Sequence, residues 1–420
     1  MVVVEPGSLR RIRRIVGFWL VRLWGPGWDG RRRQLFLHYC AYFRNPQIPA
    51  EYLPDSCRPD ACDRQIEFSS AFMKKIRIAL GSAVKQDGVF LTYLPLAKNL
   101  RLLGTAVCRS VDRKRGLFIE PEGTPHERRR LQRRGYEWSP WLWARSETGT
   151  SEKLGNAALA WNEFFENPPA NRPHGQPETE ERLPVLGLGE GPFSARYLKR
   201  VLKVAVATRY VFAPAPSITA EVGRWKDVIG WPAFPRRVLG MHVRRGDAAS
   251  VEADGAHPRQ SNRRSMALFS YLEVADRMCE KYGIRDIFLA TESSEEIETA
   301  VRARPQYRFL WLEYDRSLFL KIGASRHLKN IEDLVLAHPE RARPLALSAI
   351  LDLCLFCECD AFVGTLNSEF SVLAWLLMIG SRGHLVPYVS LSKAETRRGL
   401  DHLNPGRTRT ENCPLELYRW

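Results

Sequence analysis

From Val238 to Val389 the chain alternates short apolar runs with helical stretches, and this alternation limits its possible folds more than any other feature. VLGMHV (238–243), DIFLAT (286–291), RFLWL (308–312), AFVG (361–364) and HLVPYV (384–389) read as buried strands. Between them the apolar spacing predicts a helix around 265–282 and a second opened by Ser293, with Glu296 completing a capping box. A strongly apolar helix is predicted from Pro344 to about Cys359. Another runs from Ser368 to Met378 with Gly380 as its C-cap. Strands alternating with helices imply a parallel, doubly wound α/β sheet, whose ligands bind beyond the C-terminal strand ends. The residues at those ends therefore carry the functional argument.

The first strand ends in His242-Val243-Arg244-Arg245-Gly246-Asp247. Period-two alternation sets His242 and Arg244 on one face, toward the crevice. An arginine there can hold a diphosphate through two parallel charge-assisted hydrogen bonds. A surface arginine pair bridged to Asp247 across a turn is the other reading of the same residues. Asp352 lies among Leu345, Leu347, Ile350, Leu351, Leu353, Leu355 and Phe356. A carboxylate so placed costs several kcal/mol to bury without a partner. The N1–H and exocyclic amine edge of guanine offers two parallel donors; a narrow solvated stripe through Ser348 and Asp352 is the alternative. Gly364-Thr365-Leu366-Asn367-Ser368-Glu369 joins a strand to a helix. The free N–H groups and positive dipole end of that helix suit an anion, with the Ser368 hydroxyl available to a phosphate oxygen. An ordinary Asn/Ser N-cap without ligand fits equally.

Together these features resemble the fucosyltransferase superfamily, most closely the α-1,6-fucosyltransferases. The HVRR strand end, Leu289-Ala290-Thr291-Glu292, the helix with its single Asp352 and the turn to Ser368 all match. So does YVFAPAPSITAEV (210–222), and the likeness runs over residues 195–390. The resemblance implies a GT-B-type fold, two open α/β domains with a Rossmann-like C-terminal nucleotide-sugar domain. It would divide the chain into a basic and apolar N-terminal segment (1–35), an acceptor-side α/β domain (36–235) and a GDP-sugar-binding domain (236–420). It also implies roles. His242 and Asp352 would read guanine; Arg244 and Ser368 would hold the diphosphate, with Arg245 and Glu369 lining the nucleotide site beside it. Asp247 and Glu292 would support the site. Glu252, eight positions after Arg244, would be the catalytic base of an inverting transfer from GDP-fucose to a glycan or glycoprotein hydroxyl.

No cofactor and no metal is expected, since arginine and helix N–H groups would stabilise the leaving GDP and the sequence has no Asp-X-Asp. This chain departs from the family pattern at Gly246 (usually Thr), Ala248 (Lys), Ser293 (a second acid) and Glu369 (Gln). HVRRGD is also the α-1,2-fucosyltransferase form. An α-1,2-type enzyme and a catalytically impaired GDP-sugar-binding protein are the alternative readings.

The remaining sequence sets bounds. A net charge of +16 favours an anionic partner. No nucleic-acid-binding motif accompanies it, so nucleic acid is not expected. The basic clusters at 10–14, 31–33 and 128–134 read as solvated surface or disordered segment. Nine cysteines are too thinly spread for a disulfide scaffold, and Cys354, Cys357 and Cys359 read as buried helix thiols, not zinc ligands. Ile15–Trp24 follows a basic cluster but is interrupted by Arg22, well short of the ~20 apolar residues of a spanning helix. A short interfacial or buried helix is expected there, so membrane association stays open. The family implies the Golgi or another secretory compartment; an unanchored N-terminus would imply the cytoplasm. Residues 121–192 read as a loop-rich insertion containing Trp138, Trp141, Trp143 and Trp161. A helix is expected over 197–212, after which Pro214, Pro216 and Trp231-Pro232 break the pattern.

Overall fold

The computed structural model describes residues 50–52, 59–81, 86–90, 96–113, 116–120, 164–166, 195–245, 266–319, 331, 334–335, 338–365 and 368–391. In chain order the first elements are β1 (Ala50–Tyr52), α1 (Pro59–Gly81), β2 (Gln86–Phe90), α2 (Leu96–Arg113) and β3 (Gly116–Glu120). Then follow α3 (Ala195–Val211), α4 (Pro216–Val228), β4 (Val238–Val243), α5 (Leu268–Tyr282), β5 (Asp286–Thr291) and α6 (Ser294–Ala303). The last are β6 (Arg308–Leu310), α7 (Ala342–Phe356), β7 (Ala361–Gly364), α8 (Glu369–Arg382) and β8 (Tyr388–Ser390). The N-terminal segment, the basic clusters, the four insertion tryptophans, Asp247, Ala248 and Glu252 lie outside the described residues.

Six strands form one sheet in the order β1-β8-β7-β4-β5-β6. All neighbours from β8 to β6 are parallel, and β1 closes the edge antiparallel to β8. The doubly wound α/β class expected from the alternation is thus the observed one. Every residue of β4, β5 and β7 is buried, as central parallel strands covered on both faces require. Strand order runs outward from β4 in both directions: β5 and β6 to one side, β7 and β8 to the other. The winding therefore reverses between β4 and β7, and such a switch point opens a crevice at the C-terminal strand ends. A separate pair, β2 and β3, is also parallel and is joined through α2 in a βαβ unit.

The core is built on two close approaches. At Gly240 in β4, a Cβ would lie 2.7 Å from Phe356, so the missing side chain lets α7 settle on the sheet. Phe356 then meets Phe288 at 5.2 Å and Phe362 at 5.6 Å between ring centroids, edge-on in both cases. At Gly380 in α8, a Cβ would fall 2.5 Å from the Ala205 carbonyl oxygen of α3. Helices α2 and α3 pack on α8, and α1 packs on α2 and α3.

Several sequence expectations change. Pro216 does not break the chain but opens α4, where its missing N–H has no partner to lose. Helix α8 passes Gly380 and ends at Gly383, which takes the left-handed conformation (φ 75°). Helix α7 begins at Ala342, with Pro344 accommodated in its first turn. Strand β6 stops at Leu310, and Trp311 leaves the ladder to donate its Nε1–H to Glu313.

Candidate nucleotide site at the switch point

The C-terminal ends of β4 and β7 bring several of the expected residues together. His242 is the penultimate residue of β4 and only 6% exposed. Its Nδ1 lies 2.7 Å from the Ser371 hydroxyl in the first turn of α8, and its ring packs on Phe370 at 4.8 Å. Burial first, and then the Arg244 charge, holds the imidazole down to about 3, so the ring is neutral. A neutral imidazole can both donate and accept, which suits a base edge.

Arg244 and Arg245 follow at the strand end. Arg245 is fixed on three sides: its backbone N–H donates to Glu292 (2.9 Å), its Nε to Glu296 (2.5 Å) and its Nη1 to the Met266 carbonyl (2.6 Å). Its guanidinium thus braces β4 against α6 and the start of α5. Glu296 was expected to complete a capping box at Ser293. Only the Ser293 half forms, accepting from the Glu296 N–H at 3.3 Å, because the Glu296 carboxylate serves Arg245.

Asp352 sits on α7, 5% exposed. Burial pushes its carboxyl up to about 8; Arg316 opposes this, Glu292 adds to it and Tyr314 opposes it. Tyr314 and Arg316 were not singled out in the sequence. The Tyr314 hydroxyl donates to the Thr291 carbonyl (3.2 Å) and lies 3.5 Å from Oδ2 of Asp352. The Arg316 guanidinium stacks 4.5 Å over the Tyr314 ring and donates to the carbonyls of Thr291 (3.2 Å) and Leu312 (2.9 Å). Glu292 acts on both Asp352 and the buried Tyr271, and Tyr271 hydrogen-bonds the Thr365 side chain at the end of β7. A chain of polar contacts thus runs from α7 through the end of β5 to the end of β7.

At the N-terminus of α8, Ser368 takes an extended conformation, and its hydroxyl makes no capping bond to the helix. The first N–H groups of a helix have no intrahelical acceptor, so this end offers donors to an anion. Glu369, the first helical residue, ion-pairs at 2.6 Å with Arg101 of α2, a partner that no local sequence pattern marks. The site therefore combines two buried polar side chains (His242, Asp352), cations at the strand end (Arg244, Arg245) and a helix N-terminus. The catalytic candidates Asp247 and Glu252 fall in the undescribed stretch after Arg245. Among the described residues no group of three or more His, Cys, Asp or Glu is placed to hold a metal.

No family model matches the sequence, and no curated protein matches it. Among solved structures, this chain is similar to POFUT1 in complex with GDP at 14% identity, over 45% of this chain and 50% of that one, with a TM-score of 0.29. It is similar to NodZ α-1,6-fucosyltransferase co-crystallised with GDP at 13% identity, over 70% of this chain and 91% of that one, with a TM-score of 0.31. The selenomethionine form of the fucosyltransferase NodZ from Bradyrhizobium matches over the same shares at 13% identity and a TM-score of 0.34. The chain spans about half the length of the POFUT1 structure it matches.

Proposed function

We propose that this chain is an inverting, metal-independent fucosyltransferase of the GT-B type, which moves fucose from GDP-fucose to a glycan hydroxyl in α-1,6 linkage. One observation carries the reading: His242, Arg244, Asp352 and Ser368, picked from the sequence as guanine and diphosphate contacts, stand on elements bordering the switch-point crevice. The βαβ unit of β2, α2 and β3 supports a second α/β lobe, as the GT-B type requires. His242 and Asp352 would read the guanine edge. Arg244 and the α8 N-terminus, with Ser368, would hold the diphosphate, and Arg245 and Glu292 would keep the strand end in place.

In the transfer, the acceptor oxygen attacks the anomeric carbon of fucose as the Glu252 carboxylate takes its proton. The bond from that carbon to the β-phosphate oxygen breaks, and GDP departs with the electron pair. Arg244 and the helix N–H groups meet the charge that grows on the departing diphosphate, the role a divalent cation plays elsewhere. The acceptor would be a glycan or glycoprotein, and the setting the Golgi or another secretory compartment.

Transfer of labelled fucose from GDP-fucose to a panel of N-glycan and oligosaccharide acceptors tests the proposal. GDP-mannose and UDP-galactose serve as donor controls. Glu252→Gln is expected to lower transfer about a hundredfold, as general-base loss does, with GDP affinity held within about twofold. Fucose transfer that is unchanged by the substitution would contradict the assignment of the base.

A further inference from the structure

Arg101 lies in the second turn of α2, within the βαβ unit formed with β2 and β3, and its side chain is 1% exposed. Its Nη2 stands 2.6 Å from Oε2 of Glu369, whose side chain is 32% exposed. A guanidinium removed from water requires a matched counter-charge, and Glu369 is in place to provide it. Glu369 is also the first residue of α8, directly after Ser368. An acid there would ordinarily oppose a diphosphate at the same helix end. Two effects compete: the carboxylate repels an incoming anion, and its pairing with Arg101 cancels much of that repulsion before the anion arrives. At 2.6 Å the two charges are in direct contact.

We propose that Arg101 is a specificity-determining residue for the diphosphate, acting through Glu369: by neutralising the carboxylate at the head of α8, it keeps that helix end open to a nucleoside diphosphate. The inference rests on the nucleotide reading above. Arg101 is a positioning residue that need not touch the ligand. It is contributed by the βαβ unit, so the helix between β2 and β3 helps set the ligand preference of the large sheet's crevice.

The test is calorimetric titration with GDP and with GMP of the wild type, Arg101→Met, Arg101→Gln and the double variant Arg101→Met/Glu369→Gln. Either single variant leaves the Glu369 charge unmatched. It is expected to lose about tenfold in GDP affinity but only about threefold for GMP, which carries one phosphate fewer. The double variant replaces the pair by uncharged groups of similar volume and is expected to restore the wild-type GDP-to-GMP ratio. The GDP-to-GMP ratio is the deciding readout, because a purely structural ion pair would move both affinities together. Thermal melting reports whether each variant is folded, and the double variant decides the matter should the single ones not fold: a GDP-to-GMP ratio below wild type in it overturns the proposal. So does a single variant that keeps the wild-type ratio. A wild type that does not prefer GDP to GMP and ADP defeats the nucleotide reading itself; a wild type that does, with an unmoved ratio in the variants, defeats the role of Arg101 alone.

Discussion

Asp352→Asn is expected to lower GDP affinity about a thousandfold, roughly 4 kcal/mol, while leaving the unliganded protein no less stable. The two halves of this result share a cause. Burial pushes the Asp352 carboxyl up to about 8, so at pH 7 the empty site holds it largely protonated and little is lost by making it an amide. Guanine, however, presents two N–H donors, and an asparagine can answer only one while setting its own NH2 against the other. The same reasoning fixes the pH dependence. A folded value raised from 3.8 means that Asp352 contributes its full stability below that pH, and the contribution is lost as pH climbs toward 8. His242, depressed from 6.5 to about 3, behaves oppositely: its contribution is full above 6.5 and is lost as pH falls toward 3. Of the two, only Asp352 titrates between 6.5 and 8, so the fall in stability across that window should be shallower in the Asn variant. Guanine binding below pH 8 should also expel a proton. Binding enthalpies measured in phosphate and in Tris at pH 7 should then differ for the wild type and agree for the variant. Equal heats in the wild type would mean that Asp352 does not accept from the base.

Gly380→Ala is expected to cost about 3 kcal/mol, whereas Gly223→Ala should add about 0.5–1 kcal/mol. Both glycines lie inside helices, where alanine is intrinsically the better residue. What separates them is packing. Gly223 has nothing within 4 Å of an added Cβ. At Gly380 the new atom would meet the Ala205 carbonyl oxygen at 2.5 Å and the Arg209 Cβ at 2.7 Å, and a backbone oxygen cannot rotate aside. Helices α3 and α8 would have to move apart. The end of α8 is further tied to α1, where the Ser69 hydroxyl donates to the Gly383 carbonyl at 2.7 Å and the Gln65 side chain accepts from the Leu385 N–H at 2.9 Å. Urea unfolding of the two variants gives the comparison. A loss below about 1 kcal/mol for Gly380→Ala would argue against a close crossing of α3 and α8.

These two glycines also show why part of the fold was legible in the sequence and part was not. Strands β4, β5 and β7 were readable to the residue because both faces are covered, which leaves continuous apolar runs with sharp polar ends. Gly380 carries no such local signature. A helix-ending glycine and a helix-crossing glycine look alike until the partner helix is known, and here the partner is α3, far back in the chain. Pro216 misled in a related way, since the same ring that ends one helix begins another.

The candidate site divides along similar lines. His242, Arg244, Asp352 and Ser368 were visible because each breaks a local pattern, a polar group at the end of a buried strand or within an apolar helix. Arg101 breaks none. It is one basic residue in an amphipathic helix, and its relation to Glu369 exists only in three dimensions. Tyr314 and Arg316 sit in a stretch without periodicity, and only the fold brings them to Thr291 and Asp352. The edge strand β1, three residues long and antiparallel to β8, was equally silent.

The proposed transfer requires the switch-point crevice to hold a guanine nucleoside diphosphate without a metal. Calorimetric titration of the purified protein with GDP, GMP and ADP, each with and without EDTA, tests it most directly. Tight binding of GDP, weaker binding of GMP and ADP, and no change on adding EDTA are expected. Equal affinity for all three nucleotides, or GDP binding abolished by EDTA, would contradict it.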